Sequence, residues 1–208
     1  MVGAEMEAPH ILKEIAGKVA PGRPPAYKPA HALMALETIG SGLGVGRQRL
    51  SEALRLGEGT VRTLVGRLKD LGLIETYRSG MSLTGKGEQV LEELNGLLET
   101  CDMSETPITV GPVNRAVMVR GGAGRVGWGI EQRDTAIIAG AQGATTLVYK
   151  GGRLRMPGME DPLDPEVVDM VMDRLGPSEG DAIIIGSSGD PFLAELGAKS
   201  AALDLLEG

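Results

Sequence analysis

A chain of 208 residues that is 42% hydrophobic can bury two small cores. One Cys excludes a disulfide framework and suits a reducing cytoplasm, the acidic start Met1–Glu7 carries no signal-peptide pattern, and no apolar run nears the ~20 residues of a membrane helix. The net charge of −7 is uneven: residues 1–100 balance to zero, 46–87 hold 8 basic and 4 acidic side chains, and the excess acid lies beyond residue 100. A local basic footprint is what duplex binding requires. One Trp, one Phe and three Tyr argue against recognition by base stacking.

Pro9 to about Val19 reads as a helix with Ile11, Leu12, Ile15 and Val19 on one face, broken by Pro21-Gly22-Arg23-Pro24-Pro25. This 1–27 arm is expected to pack on the next domain or on a dimer mate. Pro29 opens a second helix at an N1-like position, with Ala32, Leu33, Leu36 and Ile39 as its buried stripe. Gly40 to Gly46 is a glycine-rich loop without the Gly-Lys-Ser/Thr ending of a phosphate cradle.

From Gly46 to Gly87 two short helical patterns flank a turn, Gly57-Glu58-Gly59. Leu50, Ala53 and Leu54 share a face in the first; Val61, Leu64, Val65, Leu68 and Leu71 do so in the second, and Gly72 stops it. Steeply crossing helices joined by a glycine-bracketed turn make a helix-turn-helix. Leu73–Tyr77 and Met81–Leu83 are strand candidates turned by Arg78-Ser79-Gly80, which is a wing. Thr84 caps a further helix expected to run to about Thr100, with Val90, Leu91, Leu94, Leu97 and Leu98 apolar.

Leu50-Ser51-Glu52-Ala53-Leu54, Thr60-Val61-Arg62, Leu68–Ile74 and Leu83-Thr84-Gly85-Lys86-Gly87 resemble prokaryotic winged-helix repressors. The Thr-Val-Arg triplet is similar to the GntR class, and Leu-Thr-x-x-Gly after the wing to the MarR class. The whole chain resembles an archaeal two-domain family, a winged helix followed by a domain of unknown function. Its first half is sometimes grouped with the central glycolytic genes regulator. The resemblance implies a winged helix-turn-helix over 28–100 that binds double-stranded DNA. The second helix of the motif, Thr60–Leu71, would enter the major groove. Thr60, Arg62, Thr63 and Arg67 are the candidate readers there. Arg47 and Arg49 are expected on phosphate, and Arg78 at the wing tip.

Residues 107–208 read as ββαββαβα. The strand candidates are Ile108–Val110, Arg115–Arg120, Thr145–Tyr149, Arg153–Met156 and Asp181–Ile185. The helices are Gly129–Ala139, Pro165–Leu175 and Pro191–Leu206. The expected class is α+β, the second domain a two-layer α/β sandwich of ferredoxin-like or similar type. Gly122-Ala123-Gly124-Arg125-Val126-Gly127 fits G-x-G-x-x-G but lacks the acid a dinucleotide site needs, so no cofactor is expected. Gly186-Ser187-Ser188-Gly189-Asp190 reads as a loop ending in a helix cap. His10, His31 and Cys101 form no cluster, which leaves no metal or catalytic motif. Gly122, Gly124, Glu131, Arg133 and Thr145 are candidates for an effector or inter-subunit site, Arg133 as its charged anchor. The reading is a cytoplasmic, dimeric transcription regulator and not an enzyme. A protein-interaction module, or an enzyme acting through 107–208, are the alternatives.

Overall fold

The computed structural model describes residues 7–17, 25–42 and 44–208. It divides into two compact units, Met1–Asn95 and Gly96–Gly208. In the first, α1 (Glu7–Ala16) packs on α2 (Pro29–Gly40), burying Ala8, Ile11, Leu12 and Ile15. The expected end of that helix at Val19 lies outside the described residues, as do residues 1–6. Next come α3 (Arg47–Leu54), α4 (Glu58–Asp70), a hairpin of β1 (Ile74–Tyr77) and β2 (Gly80–Leu83), and α5 (Gly85–Leu97). The alternation of helices and hairpin is the winged-helix order.

Local chemistry sets the joints. Gly72 (φ 69°) ends α4, its N–H bonding Lys69 O at 2.8 Å while Leu73 N–H bonds Leu68 O at 2.9 Å, a Schellman closure. Thr84 then ties wing to helix: its hydroxyl donates to Gly72 O (2.6 Å) and accepts from Gly87 N–H (3.1 Å). A Cβ on Gly87 would sit 2.0 Å from Leu73 O, so only glycine fits.

The second unit is one antiparallel sheet of β3 (Leu98–Met103), β4 (Val113–Val119), β5 (Gly143–Tyr149), β6 (Leu154–Arg155) and β7 (Ala182–Ser188), ordered β3-β4-β7-β5-β6. Its helices are α6 (Ile130–Ala139), α7 (Pro165–Leu175) and α8 (Pro191–Glu207). The α+β class and the element order are those expected.

The layering differs from the expected two-layer sandwich. Ala116, Met118, Leu147, Ile183 and Ile185 face Val171 and Leu175 of α7. The opposite face meets α6 and α8: a Cβ on Gly186 of β7 would fall 2.3 Å from Ala194 O, and Gly129 lies against Thr146. The central strands are apolar on both faces, so both need a cover, and three layers result.

Two further assignments change. The first strand is Leu98–Met103, not Ile108–Val110, and it takes the residues expected at the end of the preceding helix. The ladder with β4 satisfies their backbone, and Arg120–Glu99 (2.8 Å) and Arg115–Asp102 (3.0 Å) pair across it. Ile108 and Val110 instead contact side chains, Ile108 O accepting from Thr145 Oγ1 (2.5 Å) and Val110 N–H donating to Ser187 Oγ. Gly186, Ser187 and Ser188 belong to β7 and are buried; Asp190 caps α8 by accepting from Phe192 N–H at 2.9 Å. Ser187 Oγ donates to the buried Asn114 at 2.6 Å, which satisfies both groups. Trp128, the chain's one Trp, is 71% exposed and lies against Gly158.

Candidate nucleic-acid interface

The turn of the helix-turn-helix lies two residues earlier than the sequence suggests. Arg55 takes the left-handed conformation (φ 50°) that ends α3, and Gly57 is the N-cap of α4. The turn is therefore Arg55-Leu56-Gly57, and Glu58 and Gly59 already lie in the helix. Ser51 Oγ donates to Leu56 O at 2.5 Å and Leu56 N–H to Ser51 O at 3.2 Å, which locks the corner. Leu50 and Leu54 of α3 pack inward with Val61, Leu64, Val65 and Leu68 of α4, while Ala53 is exposed.

On α4, Arg62 and Thr63 are exposed and Thr60 is half-buried; Thr63 Oγ1 donates to Gly59 O at 3.1 Å. A Cβ at Gly66 would meet nothing within 4 Å, so this position lies open to an approaching ligand. Arg47 and Arg49 stand exposed in the first turn of α3, where no acid accompanies them. Cations at the positive end of a helix do not stabilise it. Their placement fits an external anion better than the fold.

The wing is stitched to the start of α3. Met81 N–H bonds Val45 O at 3.0 Å, and Gly80 (φ 133°) crosses so close to Gly44 that a Cβ would lie 2.4 Å from its carbonyl carbon. A cleft of about 450 Å³ follows, lined by Arg47, Val65, Lys69, Tyr77 and Arg78. Three cations thus converge on it. Tyr77 is 58% exposed and its hydroxyl donates to Glu75, a bond that raises the phenol pKa. Sequence reasoning missed Lys69 and Tyr77. Lys69 follows the buried Leu68 on α4, and its exposure at the cleft depends on where the hairpin folds back.

Arg67 is the clear departure. Its Nη1 donates to Ile15 O and Gly17 O at 2.5 and 2.6 Å, and its guanidinium stands 5.9 Å from the Tyr27 ring centre. Five residues of helix turn about 140° net, so Arg62 and Arg67 do not share a face. Arg67 is occupied within the unit.

The expected effector constellation is not gathered. Gly122 packs on Val119 and Leu205, and Gly124 lies in the short helical turn after β4. Arg133 is exposed and pairs with its neighbour Asp134 at 2.9 Å, and Glu131 sits near Gly127. Thr145 is on the α7 face of the sheet, bonded to Ile108 O, the face opposite α6. A cleft of about 850 Å³ lies elsewhere in this unit, between the β5–β6 hairpin, the 156–163 segment and α7. Its apolar floor includes Leu154, Leu163 and Met172, and Arg153, Arg155, Glu160 and Asp161 edge it.

Residues 33–98 match the family described as CggR N-terminal DNA binding domain, and residues 110–205 match a domain of unknown function, DUF4443. Two family resemblances meet in one chain. The central glycolytic genes regulator of Priestia megaterium is 35% identical over 95 residues, covering 39% of this chain. The chain spans only 28% of that relative's length. The hypothetical protein PH0730 from Pyrococcus horikoshii OT3 has a similar structure, with a TM-score of 0.69 and 28% identity over 87% of this chain and 94% of its own. The CggR-type stretch contains α3, α4, the wing and every cation of the cleft, whereas α1 precedes it. The DUF4443 stretch contains β4 to β7 with all three helices between and after them, to within two residues of the end of α8. Among the described residues no helix is long and apolar enough to cross a membrane.

Proposed function

We propose that the protein is a DNA-binding transcription regulator that reads duplex DNA with α4 and grips the flanking phosphates with α3 and the wing. The observation that carries this is the set Arg47, Arg49, Arg62, Lys69 and Arg78. All five are exposed, none has an acidic partner among the described residues, and all belong to three adjacent elements. Arg62 and Thr63 would meet base edges, with Thr60 at the start of the same face. Arg47, Lys69 and Arg78 would share a phosphate in the wing cleft, with Arg49 beside them. Cations without partners on one side of a fold are otherwise a source of repulsion. The match to a CggR-type DNA-binding domain supports the same reading.

Footprinting on the gene's own upstream region tests it. A protected site whose affinity falls with log salt at a slope of several units is expected, given ~0.9 per phosphate neutralised. Failure to bind any duplex in 50 mM salt overturns it.

The second unit is proposed to regulate the first, as an effector or pairing domain. An effector would fit the cleft between β6 and α7 better than the scattered Gly122, Gly124, Glu131, Arg133 and Thr145. The apolar floor and edges of both charge signs suit a small amphipathic, charged molecule. A thermal-shift screen on the parent and on an Arg155→Ala variant checks this: compounds that protect both equally place the site elsewhere.

A further inference from the structure

The helix α1 is held at both ends by charged side chains of the DNA-reading unit. At its start, Ala8 N–H donates to Glu93 Oε1 of α5 at 3.2 Å. At its end, Arg67 of α4 reaches the carbonyls of Ile15 and Gly17 at 2.5 and 2.6 Å. The Tyr27 hydroxyl donates to the same Ile15 carbonyl at 3.1 Å. Tyr27 is 3% exposed and lies beside the Arg67 guanidinium. Burial raises its phenol pKa against the opposing pull of that cation, so the hydroxyl keeps its proton and its donor role. A carboxylate at the positive end of a helix and a guanidinium at the negative end each complement the helix dipole. Arg67 also satisfies carbonyls that a helix terminus leaves orphaned. Between these ends Ala8, Leu12 and Ile15 are buried, chiefly against α2. The segment is a strap, and Arg67 is the α4 side chain that holds its end.

We propose that Arg67 is a positioning residue for DNA recognition: by gripping the end of α1 it fixes the rotation of α4, and so the aim of Arg62 and Thr63. This rests on the DNA-binding reading above. Arg67 lies five residues beyond Arg62 and on a different side of the helix, so holding it fixes α4 without occupying the reading face. Both carbonyls are served by one nitrogen, Nη1, whose two N–H bonds are fixed in the guanidinium plane; Lys at this position would keep the charge but lose that fixed aim and the planar face beside the Tyr27 ring. Geometry matters most for base contacts, whereas non-specific binding follows charge.

The experiment compares the full chain with Arg67→Lys, Arg67→Ala and Tyr27→Phe, in binding to the footprinted duplex and to an unrelated one. Circular dichroism establishes that each variant is folded. Arg67→Lys should lose about tenfold on the specific duplex, the scale of one charge-assisted hydrogen bond, and less than about twofold on the unrelated one. Tyr27→Phe should shift the same ratio by a smaller factor, and it carries the test if the Arg67 variants do not fold. The salt slope of Arg67→Ala should equal that of the parent. Full rescue by Lys, with a slope lowered by about one unit in Arg67→Ala, would make Arg67 a phosphate contact and overturn the proposal. So would unchanged specific binding in a variant whose α1 amides exchange faster, which would make α1 a passenger. If the parent binds no duplex, the DNA reading itself falls, and faster α1 exchange in Arg67→Lys would still register the clamp.

Discussion

Arg62 and Arg67 look alike in the sequence and differ in company. Arg62 has open space around it, whereas Arg67 is spent on two carbonyls. Nothing near Arg67 in the sequence announces this, because its partners lie about fifty residues away. Arg62→Ala should cost roughly 1–3 kcal/mol of specific binding and relax the preference at one base position, read by titrating duplexes mutated at each position. A loss equal on all sequences would place Arg62 on phosphate. Arg78→Ala should lower the salt slope by about one unit; an unchanged slope removes the wing tip from the interface.

His31, 6% exposed, sits at the third position of α2 and its Nδ1 accepts from Lys28 N–H at 3.1 Å. Burial, then the charge of Lys28, lowers its pKa to about 4. The native state refuses a proton that the unfolded chain accepts near pH 6.5. Its contribution is therefore intact above about 6.5 and is lost as pH falls toward 4, on the order of 3 kcal/mol in all. Urea melts of the parent and His31→Gln at pH 7 and pH 4.5 check this: the gap in stability between the two pH values should shrink in the variant.

At the scale of elements, helical spacing of apolar residues made α2, α4 and α5 legible, because each needs one buried stripe. Turn chemistry was legible where glycine marked it, at Gly72 and Gly80. It misled at Gly57–Gly59, since a non-glycine, Arg55, holds the left-handed position. Strand β3 was hidden because Leu97 and Leu98 continue the α5 pattern, and only pairing with β4 decides where the helix stops. The run Ile183-Ile184-Ile185 did carry the signal of a strand covered on both sides, which is the third layer. The wing and α5 meet at Gly87. Gly87→Ala should cost a few kcal/mol, because backbone cannot move aside as a side chain can. A lowered urea midpoint for the first unit is the expected readout, and a midpoint within error of the parent would refute the clash.

For the whole molecule, charge separates by unit: the acidic excess falls beyond residue 100 and the unpartnered cations around α3, α4 and the wing. Two half-sites supply the specificity that one winged helix lacks, so a dimer is expected at micromolar concentration by sedimentation. A strict monomer with and without DNA would refute that. Trp128 offers a way to watch the second unit by itself. It is the single Trp, it is exposed, and it rests against Gly158, next to Met159 of the cleft below β6. Intrinsic fluorescence excited at the red edge is therefore a reporter of the second unit alone. A colour shift on adding a small molecule would register events at that cleft, and the same shift on adding duplex would be news relayed from the other half of the chain.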